Sequence, residues 1–266
     1  MEEHIPTLPG RINYLAPSII IVEVYERMAR LYDLIYCDEV DLSFYLREAK
    51  NARGPVLEAA CGTGRIMLRL LSEKVDVSGI DISKAMIDVL KRKAAAMGLK
   101  PDVHVSDMAD FKLGKEFSLI IVPYRSFLHI ENEPERKKVL DNLFQHLKKG
   151  GRLILHTYNP SEDEMAMTDG YHLIESEHMF TPEGKPYNLV WLLRYEPKGR
   201  VGNYKIKISF DTGGKDEFDM RIHYIPIKDL RTLLSSSGFK NIKLYCGFDY
   251  SDFDDDCREA VWIAEK

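Results

Sequence analysis

Between about residues 54 and 160, short apolar runs alternate with stretches whose apolar residues recur every three or four positions. That alternation predicts βαβ units and a parallel sheet. Val56-Leu57 opens a strand that Gly62 and Gly64 end, and Ile66, Met67, Leu70 and Leu71 follow at helical spacing. Val75–Ile80 predicts a second strand, and Ser83 caps a helix with Met86, Val89 and Leu90 inward and Gly98 at its close. A third strand is expected at Val103–Val105 and a fourth, buried on both faces, at Phe117–Val122. A helix with Pro134 in its first turn and Lys148-Lys149-Gly150 at its end leads into a fifth strand at Arg152–His156.

Residues 161–225 break this rhythm. After an acidic loop from Ser161 to Gly170, four period-two segments follow at His172–Met179, Asn188–Glu196, Asn203–Phe210 and Phe218–Ile225. In the third, Tyr204, Ile206, Ile208 and Phe210 share one face while Lys205 and Lys207 share the other. These segments read as an antiparallel sheet wet on one side. The α/β pattern resumes with a helix from Pro226 to Gly238 and strands at Ile242–Cys246 and Ala260–Ala264. The expected organisation is an N-terminal helical lid (1–53), an α/β domain formed by 54–160 with 226–266, and an antiparallel β insertion (161–225).

Composition adds limits. A chain of 266 residues suits one large domain with an elaboration, and a net charge of −5 disfavours a nucleic-acid partner. The apolar runs Ile19–Val22 and Leu119–Val122 are far short of a membrane span. The acidic start Met-Glu-Glu-His lacks the features of a secretory leader, so a cytoplasmic location is expected. Cys37, Cys61, Cys246 and Cys257 form no CxxC pair and have no His at zinc spacing. Four free thiols and no bound metal are expected.

The run Val-Leu-Glu-Ala-Ala-Cys-Gly-Thr-Gly-Arg (56–65) carries the most chemistry. A strand ends in a Gly-rich turn that opens a helix, so backbone approaches a ligand closely and free N–H groups face it. A dinucleotide fingerprint needs a third Gly where this chain has Met67, which weakens a pyrophosphate reading and an NAD oxidoreductase. Asp81 ends the second strand nineteen residues beyond Gly62, the distance at which an acid takes ribose hydroxyls. Asp107 ends the third, where a carboxylate can accept from an adenine amino group. Ligands of open α/β sheets gather at these carboxyl ends, so the loops converge on one crevice.

These motifs resemble those of the class I S-adenosylmethionine-dependent methyltransferases, over about residues 25–160 and 226–266. Leu-Glu-Ala-Ala-Cys-Gly-Thr-Gly-Arg is similar to their first motif, Gly-Ile-Asp-Ile-Ser to the ribose motif and Ser106-Asp107-Met108 to the adenine motif. Leu-Lys-Lys-Gly-Gly-Arg-Leu resembles the turn before their fifth strand. The resemblance implies a Rossmann-like α/β fold with a seven-stranded, mostly parallel sheet, its last strand antiparallel and helices on both faces. It also implies S-adenosyl-L-methionine as cofactor. Ala60, Cys61, Gly62 and Gly64 would hold its methionine part, with Glu58 orienting the loop or simply capping it. Asp81 would take the ribose, Ile82 and Met86 would pack by the adenine, and Asp107 with Met108 would read its edge. Pro123 completes the implied cofactor set.

The fourth strand exits through Val-Pro-Tyr-Arg-Ser-Phe-Leu-His (122–129), without the Asn/Asp-Pro-Pro-Tyr of base-modifying methyltransferases. It resembles instead the same stretch of deoxysugar N-methyltransferases, which makes His129 the candidate general base, with a core or capping role as the plainer reading. Tyr32 or Tyr36 on the N-terminal lid would stack there or bond the acceptor. Arg194, Arg221 and His223 of the insertion are either solvated or contacts to an anionic acceptor. The expected activity is methyl transfer to an amine or hydroxyl of a small molecule, by a monomer or homodimer. The alternatives are methylation of tRNA or protein, or a silent cofactor-binding protein.

Overall fold

The computed structural model describes the backbone of residues 17–266 and side chains from residue 21 onward. Three helices come first: α1 (Pro17–Met28), α2 (Tyr32–Ile35) and α3 (Leu42–Asn51). The alternating segment follows as β1 (Val56–Ala59), α4 (Arg65–Ser72), β2 (Val77–Asp81), α5 (Lys84–Ala96), β3 (Asp102–Val105), β4 (Phe117–Val122), α6 (Glu133–His146) and β5 (Leu147–Tyr158). A short helix α7 (Glu162–Ala166) leads into β6 (His172–Phe180), β7 (Pro186–Glu196), β8 (Val201–Phe210) and β9 (Lys215–His223). The chain closes with α8 (Ile227–Ser236), β10 (Lys240–Cys246), β11 (Ser251–Asp252) and β12 (Glu259–Glu265).

The central sheet runs β11-β10-β12-β5-β4-β1-β2-β3, with β1 to β5 parallel and β12 antiparallel between β5 and β10. The seven expected strands are present, and two-residue β11 adds an eighth at the edge. Strand β4 sits in the middle of this sheet, and Leu119 to Val122 are fully buried, which is why its sequence is apolar without alternation.

Local signals explain the helix starts. Ser83 accepts the Met86 N–H at 3.2 Å and Asn132 accepts the Glu135 N–H at 3.0 Å, each satisfying an otherwise orphaned donor. The acidic loop after β5 is partly helical for the same reason: Ser161 and Glu164 cap each other reciprocally at the start of α7. Strand β5 begins earlier than expected, because Leu147 already pairs with Phe117 and the residues up to Gly150, which is left-handed at φ 74°, form an irregularity that shifts the register against β4.

The insertion forms its own antiparallel sheet in the order β6-β7-β8-β9. Tyr204, Ile206 and Ile208 are buried on one face, and Lys205 on the other pairs with Glu217 and Asp219. A single hydrophobic core joins Leu189, Ile206 and Tyr224 of the insertion to Leu57, Ile120 and Leu155 of the central sheet.

One expectation fails in this region. Cys246 and Cys257 are joined in a disulfide across the β10–β12 connection, with Cα atoms 5.6 Å apart, leaving only Cys37 and Cys61 free. Their eleven-residue separation carries no sequence signature. The connection folding back beside β10 brings the two side chains together.

Candidate active site

Two cavities lie side by side above the carboxyl ends of the central strands. The first, about 240 Å³, is lined by Ala60, Gly62, Asp81, Ile82, Met86 and Asp107, with Ser106, Met108 and Tyr32 completing its walls. The second, about 330 Å³, lies beneath the inner face of the insertion sheet. Tyr25 and His129 line both. Hydrogen-bonded to each other at 2.7 Å, they form the partition between the two cavities.

The floor of the first cavity is the turn between β1 and α4. Ala60 has a left-handed backbone (φ 64°), and so does Gly62 (φ 52°), whose missing Cβ leaves open space. The Gly62 N–H donates to Asp81 Oδ2 at 2.8 Å and the Ser83 N–H to Oδ1 at 2.9 Å. Burial outweighs both bonds and pushes the Asp81 carboxyl up to about 6. A desolvated carboxylate with spare lone pairs is an acceptor in need of donors, which the two hydroxyls of a ribose supply. Asp107 Oδ1 accepts the Ala109 N–H at 2.8 Å, which leaves Oδ2 for an adenine edge. Ile82, Met86 and Val139 give the slot apolar sides. The residues present therefore fit a nucleoside-bearing cofactor.

Four residues of the expected cofactor set stand outside that lining. Glu58 lies buried in β1 beside the backbone N–H of Met67, its carboxyl held well above the usual range by burial, so it braces the start of α4 from below. Its Oε2 has no hydrogen-bond partner among the described residues. The Cys61 thiol packs into the core against Gly79, and its N–H is spent on the Ile80 carbonyl at 3.0 Å. Gly64 is a packing glycine, since a Cβ there would stand 2.7 Å from Leu90 Cγ. Pro123 is buried, and its carbonyl accepts the Ser126 hydroxyl at 2.8 Å, shaping the turn that carries His129.

The N-terminal helices close over this floor. Glu26 accepts from the Ser83 hydroxyl (2.9 Å) and the Ala85 N–H (3.0 Å), latching α1 to the start of α5. Asp33 joins Thr63 of the Gly-rich turn to Lys93, and Arg65 binds Asp41 through two bonds of 2.5 and 2.6 Å. Tyr32 lies in the first cavity and Tyr36 in the second, their rings 4.6 Å apart, while Tyr45 is fully buried in the core.

His129 ends a single 3-10 turn, Ser126–His129, after consecutive left-handed residues Tyr124 and Arg125. Its Nδ1 faces the Arg221 carbonyl at 3.2 Å, so Nδ1 carries the proton and donates. Nε2 is then a bare acceptor, and the Tyr25 hydroxyl donates to it at 2.7 Å. Burial lowers the imidazole to about 4, against the raising effect of the Arg221 carbonyl. It is neutral at pH 7. Burial also raises the Tyr25 phenol, which stays protonated as a donor.

Tyr25 is the site residue that sequence reading does not single out. The sequence reading favours Tyr32 or Tyr36 among the tyrosines at 25, 32, 36 and 45, and only tertiary packing puts Tyr25 against His129. Arg194 and Arg221 are exposed, one over the Tyr171 ring and one 3.9 Å from Glu196, and neither lines a cavity. His223 is buried outside both linings.

A family profile described as a methyltransferase domain matches residues 56–151. The chain is 26% identical over 141 residues to the dTDP-3-amino-3,6-dideoxy-alpha-D-glucopyranose N,N-dimethyltransferase of Streptomyces fradiae, a match covering 49% of this chain and 53% of that protein. It is 24% identical over 229 residues to the glycine/sarcosine N-methyltransferase of Aphanothece halophytica, covering 84% and 80%. The CcbJ methyltransferase of Streptomyces caelestis superposes with a TM-score of 0.78 at 20% identity, over 91% of this chain and 96% of that one. Against the sugar N,N-dimethyltransferase the chain spans about half of the relative's length. Residues 56–151 thus match a methyltransferase domain, and the chain as a whole shares the fold of a solved methyltransferase.

Proposed function

We propose that this protein transfers a methyl group from S-adenosylmethionine to the nitrogen of a small-molecule amine held beneath the insertion sheet. The observation that carries the reading is the partition: Tyr25 and His129 belong to the walls of both cavities. Two relatives whose names specify N-methylation favour nitrogen over oxygen. Ala60, Gly62, Asp81, Ile82, Met86, Asp107 and Met108 would hold the cofactor. Bound there, it supplies an electrophilic methyl, so that the amine lone pair forms the N–C bond while the C–S electron pair stays with sulfur.

The chain's own part is alignment and exclusion of water, the main sources of rate for an in-line displacement. A His129 imidazole lowered to about 4 is a poor sink for an alkylammonium proton, so the expected base role narrows to orientation. Nε2 accepts one N–H of a neutral amine in place of the Tyr25 hydroxyl and turns the lone pair toward the methyl. Being uncharged, it does not repel a sulfonium. The methylated ammonium sheds its extra proton to water. In this reading residues 161–225 form the acceptor wall, residues 17–53 the lid, and the site is cytoplasmic. Among the described residues no helix is long and apolar enough to cross a membrane.

The test is incubation of the full chain with cofactor and a panel of amines, with S-adenosylhomocysteine quantified. Asp81→Ala should weaken cofactor binding, and His129→Ala should spare it while slowing turnover. Cofactor-independent behaviour of the wild type would overturn the reading.

A further inference from the structure

The second cavity has a composition that neither named relative explains. Among the described residues, Asp38, Glu164, Glu175 and Glu177 line it, against a single cation, Arg125. That cation is committed elsewhere: its guanidinium is paired with Glu259 and lies 4.1 Å from the centre of the Tyr158 ring. Glu164 is partly committed too, accepting from Tyr158 and from Ser161 in its capping box. Asp38 accepts one long bond, from the Tyr124 hydroxyl at 3.4 Å, and Glu175 and Glu177 pair with no cation among the described residues. The Glu175 carboxyl is raised by burial and then by the charges of Glu177 and Asp38, with no cation acting against them.

The register makes this placement unusual. Glu175 pairs with Trp191 and Glu177 with Leu189, so both carboxylates fall on the inward, otherwise apolar face of the insertion sheet. Like charges drawn together at the mouth of a cavity cost energy unless a cation enters.

Deeper in, the walls are aromatic. The Tyr36 ring lies 5.3 Å from Tyr124 and 5.5 Å from Trp191, both at steep angles, as panels of a box. Tyr36 is only 8% exposed, and its hydroxyl has no partner among the described residues except the Met220 thioether at 3.9 Å. A buried phenol so weakly satisfied is a polar group waiting for a ligand. Ring faces attract organic cations, and carboxylates at the entrance raise their local concentration. A carboxylate, phosphate or sulfate would meet no available countercharge.

We propose that the cavity beneath the insertion sheet takes an organic cation: an amine acceptor with an apolar or aromatic body and no anionic group. As a statement about the acceptor this rests on the methyl-transfer reading, in which the ammonium drawn in by the carboxylates gives up one proton to water before its lone pair takes the methyl group. As a statement about binding it does not.

The experiment titrates the full chain, saturated with S-adenosylhomocysteine, with matched probes of one shape and opposite charge. Benzylammonium and benzyltrimethylammonium are compared with benzoate and benzyl phosphate by calorimetry. The cations should bind at least about tenfold more tightly than either anion. The double variant Glu175→Gln with Glu177→Gln, at exposed positions, should weaken cation binding by roughly threefold to tenfold. Trp191→Ala should weaken it in the same direction without changing the preference in sign. Equal or tighter binding of an anion, no cation binding into the millimolar range, or indifference to the double variant overturns the proposal. If S-adenosylhomocysteine does not bind, the methyl-transfer reading fails, and the same titration on the free chain still decides the cavity's preference.

Discussion

Asp81 gives the cofactor cavity a measurable pH signature. The carboxyl is 9% exposed and sits at about 6, because burial raises it further than the Gly62 and Ser83 N–H groups lower it. Its folded value is thus above the unfolded Asp value near 3.8, and the folded protein binds the extra proton between those limits. The stability this group contributes is present below the unfolded value and is lost as pH rises through about 6. Hydroxyl donors from a bound ribose reverse the balance, since they favour the ionised form. Cofactor binding should therefore expel a proton: about half a proton per molecule bound at pH 6, and about a tenth at pH 7. Affinity should fall about tenfold from pH 7.5 to pH 5, most of it below pH 6. Calorimetry in buffers of different ionisation enthalpy measures both quantities. Asp81→Asn should bind weakly and release no proton. The reasoning is refuted if the wild type, folded throughout, binds with constant affinity across this range, or if Asp81→Asn keeps the proton release.

Other outcomes follow from particular contacts. Gly64→Ala should destabilise the fold by about 2–4 kcal/mol in denaturant titration, since a left-handed residue at φ 86° would drive its Cβ into Leu90. Gly62→Ala should cost only about 1 kcal/mol of stability because its Cβ meets nothing, yet reduce cofactor affinity, because the methyl projects into the cavity. Thiol titration of denatured, unreduced protein should find two reactive cysteines, Cys37 and Cys61, and Cys257→Ser should lower stability by about 2–3 kcal/mol. His129→Ala should lower kcat by roughly tenfold to a hundredfold while the cofactor Kd stays within about twofold of wild type, read by paired kinetics and calorimetry.

The sheet was legible because its signals are local. The unbroken apolar run of β4, the Ser83 cap and the alternation of Tyr204, Ile206 and Ile208 with lysines each depend on neighbours in sequence. The Gly-rich turn was legible as a ligand loop, but its division of labour was not. Gly62 opens the cavity whereas Gly64 packs on Leu90, a distinction set by a helix residue twenty-six positions away. Glu58 and Cys61 belong to the motif by position and to the core by geometry. His129 was legible as chemistry, but its neutrality comes from burial, and its tautomer is set by the Arg221 carbonyl ninety-two residues distant. Tyr25 and the Cys246–Cys257 bridge were not legible, because each needs two elements to be brought together by the fold.

The central claim is that a methyl group passes across the Tyr25–His129 partition to an amine. Its most direct measurement uses cofactor labelled in the methyl group, with the full chain and amines of graded size, followed by mass spectrometry of both products. The account predicts labelled N-methyl product and S-adenosylhomocysteine in equal amounts, formed only when amine is present and reduced in His129→Ala. Tight cofactor binding at the Asp81 cavity with no label in any amine, or label recovered on an oxygen in preference to nitrogen, would contradict it.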